Sequence, residues 1–308
     1  MLDYSKNNFK IWEEYYKNFS YITEADIRPE CHPVIMEWED QRDQAIVLIH
    51  GLTDSPYFMR AIGEFFHKTL GFNVYIPLLQ GHGLLNPNGM KGVSLEEWKR
   101  NVEFAVEYAK TKGKKVSIGG LSTGGSLSVF MAMKDSDDIN GGIFLFSAAL
   151  DIAGKKGNLK EFLLRTPISS IVDLVEDRWG EPLIGDNPYR YSRMDTGGAK
   201  MLSNLIQEVE KITGKLGKKS PLSQPLFVAH SECDQAADIE GVEELIFKTT
   251  KNNKNTEFYR IGKHFNVPHA SVVLKEPVLA LNGSPLEPKN PFFEEMMNSI
   301  QEFVSKGF

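Results

Sequence analysis

Cysteine is nearly absent from this 308-residue chain. Only Cys31 and Cys233 occur, and no CxxC pair exists, so a zinc knuckle or a thioredoxin-type redox site is excluded. Two free thiols in a reducing compartment are the expectation, and a cytoplasmic location goes with it. A run of 18 or so apolar residues is also missing, so no transmembrane helix is expected. The first residues carry acids and have no apolar core of signal-peptide type, so they read as mature sequence. Excess positive charge is absent too. The formal net charge is −6, which argues against nucleic acid as a partner, because phosphate binding needs a basic face. No internal repeat or low-complexity tract interrupts the chain. The partner expected is a small molecule.

What is present is a rhythm. Apolar runs at 45–50, 72–77, 115–120, 141–148, 225–231 and 255–261 read as strands. Most are continuous rather than alternating, as in strands covered on both faces. Helical patterns fall between them. One starts at Ser55-Pro56 and runs over 56–70. Another, 94–111, opens on Ser94 with Glu97 three places on, a capping box. Residues 123–134, 238–250 and 291–305 also read as helices. Near the start, Phe9, Trp12, Tyr16 and Phe19 share a helical spacing and predict a helix docked on the core. Strand and helix in alternation mean a mostly parallel α/β sheet flanked by helices. The alternation breaks over 151–220, where amphipathic helices replace strands. The expected organisation is a core in two parts, 1–150 and 221–308, with 151–220 as an inserted helical cap. Its apolar residues, among them Phe162, Leu163, Leu164, Ile168, Ile171, Val172 and Leu174, suit an acyl chain.

The densest motif is GGLSTGG at 119–125. A strand precedes it and a helix follows, with Ser122 between Gly120 and Gly124. That is the pattern of a strained turn that presents a serine hydroxyl, the flanking glycines making room for it. A phosphate loop is disfavoured, since neither a Gly-Lys-Ser/Thr nor a GxGxxG follows. Gly125 fits close helix packing, and Gly119 has no evident task.

A serine nucleophile needs a base, and the base needs an acid to orient it. Asp234 stands just past the run 225–231. Asp238 is the other acid, read as the cap of the next helix. Past 255–261 come two histidines. His269 is preferred as the base, and His264 is the alternative. His230, inside a strand, reads as structural. An oxyanion hole requires two N–H donors. Thr123 offers one. Leu52 offers the other, after the tight turn at His50-Gly51 in HGLTDSP.

These motifs, with GHG at 81–83 and VPHASV at 267–272, fall in one order, and in that order the chain resembles the α/β-hydrolase superfamily over nearly its whole length. Within it the chain looks like the bacterial carboxylesterase and monoacylglycerol-lipase-like group, which carries a small helical cap. The resemblance implies Ser122, Asp234 and His269 as a triad and Leu52 and Thr123 as oxyanion donors. It implies hydrolysis of carboxylic esters with a short or medium acyl chain, or of a monoglyceride, with no metal or organic cofactor. A thioesterase, an amidase or peptidase with the same triad, and a non-catalytic binder of a small hydrophobic ligand are the alternatives.

Overall fold

The computed structural model describes residues 9–150, 183–215, 222–250, 255–280 and 282–307. The expected cap residues 162–174 lie outside the described residues.

Eight strands form one sheet in the order β1-β2-β4-β3-β5-β6-β7-β8. They are β1 (Lys10–Ile11), β2 (Val34–Met36), β3 (Gln44–Ile49), β4 (Asn73–Ile76), β5 (Lys115–Leu121), β6 (Ile143–Phe146), β7 (Leu226–Ser231) and β8 (Thr256–Ile261). From β4 to β8 every neighbouring pair is parallel, whereas β2 runs antiparallel to β4 and β1 antiparallel to β2. The central strands β4, β5, β6 and β7 are buried almost throughout, which accounts for their unbroken apolar sequences. β8 departs from that expectation. It is the edge strand and mostly half-buried, so it takes Thr256, Glu257 and Arg260.

Helices cover both faces. One face carries α3 (Leu95–Lys110), α4 (Thr123–Lys134), α5 (Thr196–Lys215) and α6 (Ile239–Thr250). The other carries α2 (Arg60–Lys68) and α7 (Phe293–Ser305). Ser94 caps α3, its hydroxyl accepting the Glu97 N–H at 3.4 Å. Gly63 lets α2 lie close on the sheet, since a Cβ there would meet Met36, Ile76 and Val74. Asp238 accepts the Glu240 N–H at 3.0 Å at the start of α6, its expected capping role.

The N-terminal segment differs from the single helix expected. Phe9 precedes a short strand, β1, and only α1 (Glu13–Asn18) is helical. Trp12 sits at the junction and is wholly buried, with Tyr75, Phe104 and Tyr108 within 5.5 Å, centroid to centroid. Burying such a ring is worth about 1.5–3 kcal/mol. That outweighs helical periodicity in so short a piece, and Phe9 packs on the opposite face of the sheet from Trp12.

The two cysteines are not bonded to each other. No helix among the described residues is long and apolar enough to cross a membrane, and no cluster of His, Cys, Asp or Glu there could hold a metal ion.

Candidate active site

Ser122 lies between the end of β5 and the start of α4 with φ 53° and ψ −116°. A non-glycine residue in that region carries strain of about 1–3 kcal/mol, retained only when its surroundings over-determine it. The surroundings do so. Ser122 N–H donates to the Phe146 carbonyl at 3.1 Å, and its own carbonyl accepts from Ser126 and Ala149, each at 3.1 Å. A Cβ on Gly120 would stand 2.5 Å from the Ile49 carbonyl oxygen and from the Gly124 backbone. A Cβ on Gly124 would collide with the same Ile49 oxygen. The end of β3 and the first turn of α4 therefore touch backbone to backbone, which only glycine permits. Gly119 is a correction: a Cβ there would run into the Phe144 carbonyl on β6, so it too is required.

The loop after β3 completes the neighbourhood. His50 is fully buried, and burial pushes its pKa well below the usual value, keeping the ring neutral. Its Nε2 accepts the Leu79 N–H at 3.1 Å, so its Nδ1 carries the hydrogen and donates to the Gly51 carbonyl at 2.9 Å. In a trans peptide the carbonyl and the next N–H point opposite ways. Holding the Gly51 oxygen therefore turns the Leu52 N–H the other way. Among the described residues that N–H donates no backbone hydrogen bond. Thr123 opens α4, where the first N–H groups lack intrahelical partners and the helix dipole favours negative charge.

Asp234 and His269 meet across the ends of β7 and β8. His269 Nδ1 lies 2.7 Å from Asp234 Oδ2. The other carboxylate oxygen of Asp234 accepts the N–H groups of Ala236 and Ala237 at 2.8 and 3.0 Å. Burial pushes the Asp234 pKa up, but His269 and these hydrogen bonds more than offset it and hold the carboxyl at about 2. For His269 burial pushes the other way, and Asp234 outweighs it, raising the imidazole above its usual value. With Nδ1 engaged by an ionised carboxylate, Nε2 is left with its lone pair free to take a proton. His230, buried in β7, donates from Nε2 to the Ala237 carbonyl at 3.2 Å and braces the turn that carries Asp234. His264 is exposed and lies against Phe265, the rings tilted with centroids 3.8 Å apart, and it does not line the cavity.

Ser122, Leu52 and His269 face one cavity of about 610 Å³. Met194, Leu202, Pro268 and Leu286 give it apolar walls. Asp54, Arg190 and Glu287, which the motifs did not single out, also line it. Arg190 Nε lies 3.0 Å from Asp54 and its Nη1 2.9 Å from Glu287. Asp54 is fully buried, and burial, opposed by Arg190, pushes its pKa up to about 6. Arg190 is 97 residues from Glu287 and 137 from Thr53, the neighbour of Asp54, and these separations hid the cluster from any motif search.

A profile of the family described as serine aminopeptidase, S33, matches residues 40–266. A thermostable monoacylglycerol lipase of Bacillus sp. (strain H-257) is 33% identical over 107 residues, covering 35% of this chain. The matched stretch takes in 41% of that relative's length. A structure from a study of two metagenome-derived lipolytic enzymes superposes with a TM-score of 0.67 at 18% identity, covering 91% of this chain and 100% of the other. The monoacylglycerol lipase of Paleococcus ferrophilus superposes with a TM-score of 0.58 at 15% identity, covering 90% and 100%. The fold is thus that of the α/β-hydrolases, and with the profile spanning well over half its length the chain belongs to the serine aminopeptidase S33 family.

Proposed function

We propose that this chain is a serine hydrolase that cleaves carboxylic esters with an apolar acyl group, of short to medium length or a monoglyceride. One observation carries the reading. Strained Ser122 faces the same cavity as His269, whose Nδ1 is held at 2.7 Å by the buried carboxylate of Asp234. His269 takes the Ser122 proton as the oxygen attacks the ester carbonyl. The N–H groups of Leu52 and Thr123 receive the oxyanion. His269 then protonates the departing alcohol, leaving an acyl group on Ser122. Water, deprotonated by His269, releases the acid and restores the serine. Asp234 holds the imidazole in the right tautomer and stabilises its charged form without taking the proton itself. The lipolytic names of the similar proteins and the apolar walls of the cavity support an acyl-chain substrate.

The test is a chain-length series of aryl esters, acyl-thioesters and anilides, run beside fluorophosphonate labelling. Ester turnover that peaks at a short or medium chain, with labelling lost in Ser122→Ala, supports the proposal. Faster thioester or anilide turnover moves the assignment to a thioesterase or an amidase. Tight ligand binding with no labelling marks a non-catalytic binder.

A further inference from the structure

Thr53 directly follows Leu52 and has φ 69°, in the left-handed region that a β-branched residue disfavours. The contacts that hold it come from one short stretch of chain, 187–191. Tyr191 N–H donates to the Thr53 carbonyl at 2.8 Å. Arg190 Nη2 donates to the Thr53 hydroxyl at 3.4 Å, while Nε pairs with Asp54 at 3.0 Å. The third arm of the guanidinium, Nη1, donates to Glu287 at 2.9 Å. A planar fork can serve these three directions at once; a lysine ammonium at the end of a flexible stem cannot.

The stretch is itself anchored by further contacts. Arg28 Nη1 donates to the Arg190 carbonyl at 3.0 Å. The Tyr191 hydroxyl donates to the Gly81 carbonyl at 2.9 Å and accepts the Leu84 N–H at 3.2 Å. Asn187 joins Arg190 on Glu287, its Nδ2 2.9 Å from the same carboxylate oxygen. Asp54 is buried, so without Arg190 its carboxylate would be unpaired. It would then take up a proton or leave the site, and Thr53 would keep only the Tyr191 N–H to hold its left-handed backbone.

We propose that Arg190 is a positioning residue that latches the loop after β3, keeping the Leu52 N–H aimed at the oxyanion through Asp54 and Thr53, with Glu287 securing the far side of the guanidinium. The assignment rests on the reading of Leu52 as an oxyanion donor. An interaction made as charge develops lowers kcat rather than substrate affinity when it is lost.

The experiment uses the full chain, an aryl ester, and an alkylboronic acid as the mimic of the tetrahedral oxyanion. Arg190→Met is expected to lower kcat about 10- to 100-fold with KM changed less than about 3-fold. Boronate affinity should fall in proportion, and Arg190→Lys should not restore it. Adding Thr53→Gly to Arg190→Met should recover about 5-fold or more, because glycine adopts φ near 69° without being held there. A purely structural Arg190 would lower Tm and leave the kcat, boronate and glycine-rescue readings flat; that pattern in a folded variant overturns the latch. If Arg190→Met does not fold, Arg190→Lys and Glu287→Gln carry the same readouts, and unchanged kcat and boronate affinity in both overturn it equally. A wild-type chain that neither labels with fluorophosphonate nor binds boronate removes the acyl-transfer reading. A wild type that does both beside an Arg190→Met variant indistinguishable from it removes the latch alone.

Discussion

His269 Nδ1 and Asp234 Oδ2 lie 2.7 Å apart, joining the loops that follow the two last strands of the parallel sheet. The bond commits the proton of Nδ1 and leaves Nε2 as the free base. Replacing Asp234 by Asn keeps the shape but offers the imidazole an amide, which favours the wrong tautomer. A kcat loss of about 10⁴-fold is expected with near-native Tm, measured by steady-state hydrolysis of an aryl ester.

Two histidines share the same loop region, and their surroundings separate them. His269→Ala should lower kcat by at least about 1,000-fold, whereas exposed His264→Ala should stay within about 2-fold. Both variants are read on the same ester. Equal losses would undo the assignment of His269.

The pH dependence has a definite sign. His269 works only when neutral. Burial lowers its pKa, but Asp234 and, more weakly, Asp54 raise it, while Arg190 works against them; the outcome lies above the ordinary imidazole value. Activity should therefore rise with pH through a midpoint above that value and then level off, in kcat/KM profiles from about pH 5 to pH 9. Asp54→Asn removes one negative neighbour and should move the midpoint down.

Gly124→Ala tests the close approach beneath the serine. Its new methyl would meet the Ile49 carbonyl, an oxygen in the sheet that cannot swing aside. A loss of about 2–4 kcal/mol in denaturant unfolding is expected, or failure to fold. Gly92→Ala is the control: φ is 79° there but nothing stands within 4 Å, so only the smaller conformational cost applies.

Much of this molecule is readable from its residues, and the unreadable parts share a cause. The buried strands announce themselves as continuous apolar runs, and Ser122 and Asp234 each follow one, whereas His269 follows the half-buried edge strand β8. Strands β1 and β2 span two and three residues, too few to show any period. Gly119 looks idle until β6 is laid beside β5, because its necessity lies in a neighbouring strand. The role of His50 depends on which nitrogen accepts the Leu79 N–H. Arg190, Asp54 and Glu287 come from three separate regions, and each alone reads as an ordinary surface charge. The domain boundaries at 151 and 220 rest on the sequence pattern, since only 183–215 of that stretch is described, with α5 as its one helix there.

The contact between Gly124 and the Ile49 carbonyl divides the enzyme's labour. The serine turn and the root of the loop after β3 are welded into one floor, with no side chain between them to be exchanged. The rim is built otherwise: Met194, Leu202 and Leu286 are separate side chains, although their segments are tied to the floor through Arg190, Glu287 and the packing of α5 on α4. Exchanging one of these side chains leaves the backbone contact beneath Ser122 in place. On the proposed reading, the choice of substrate is therefore open to change where the turn beneath the serine is not.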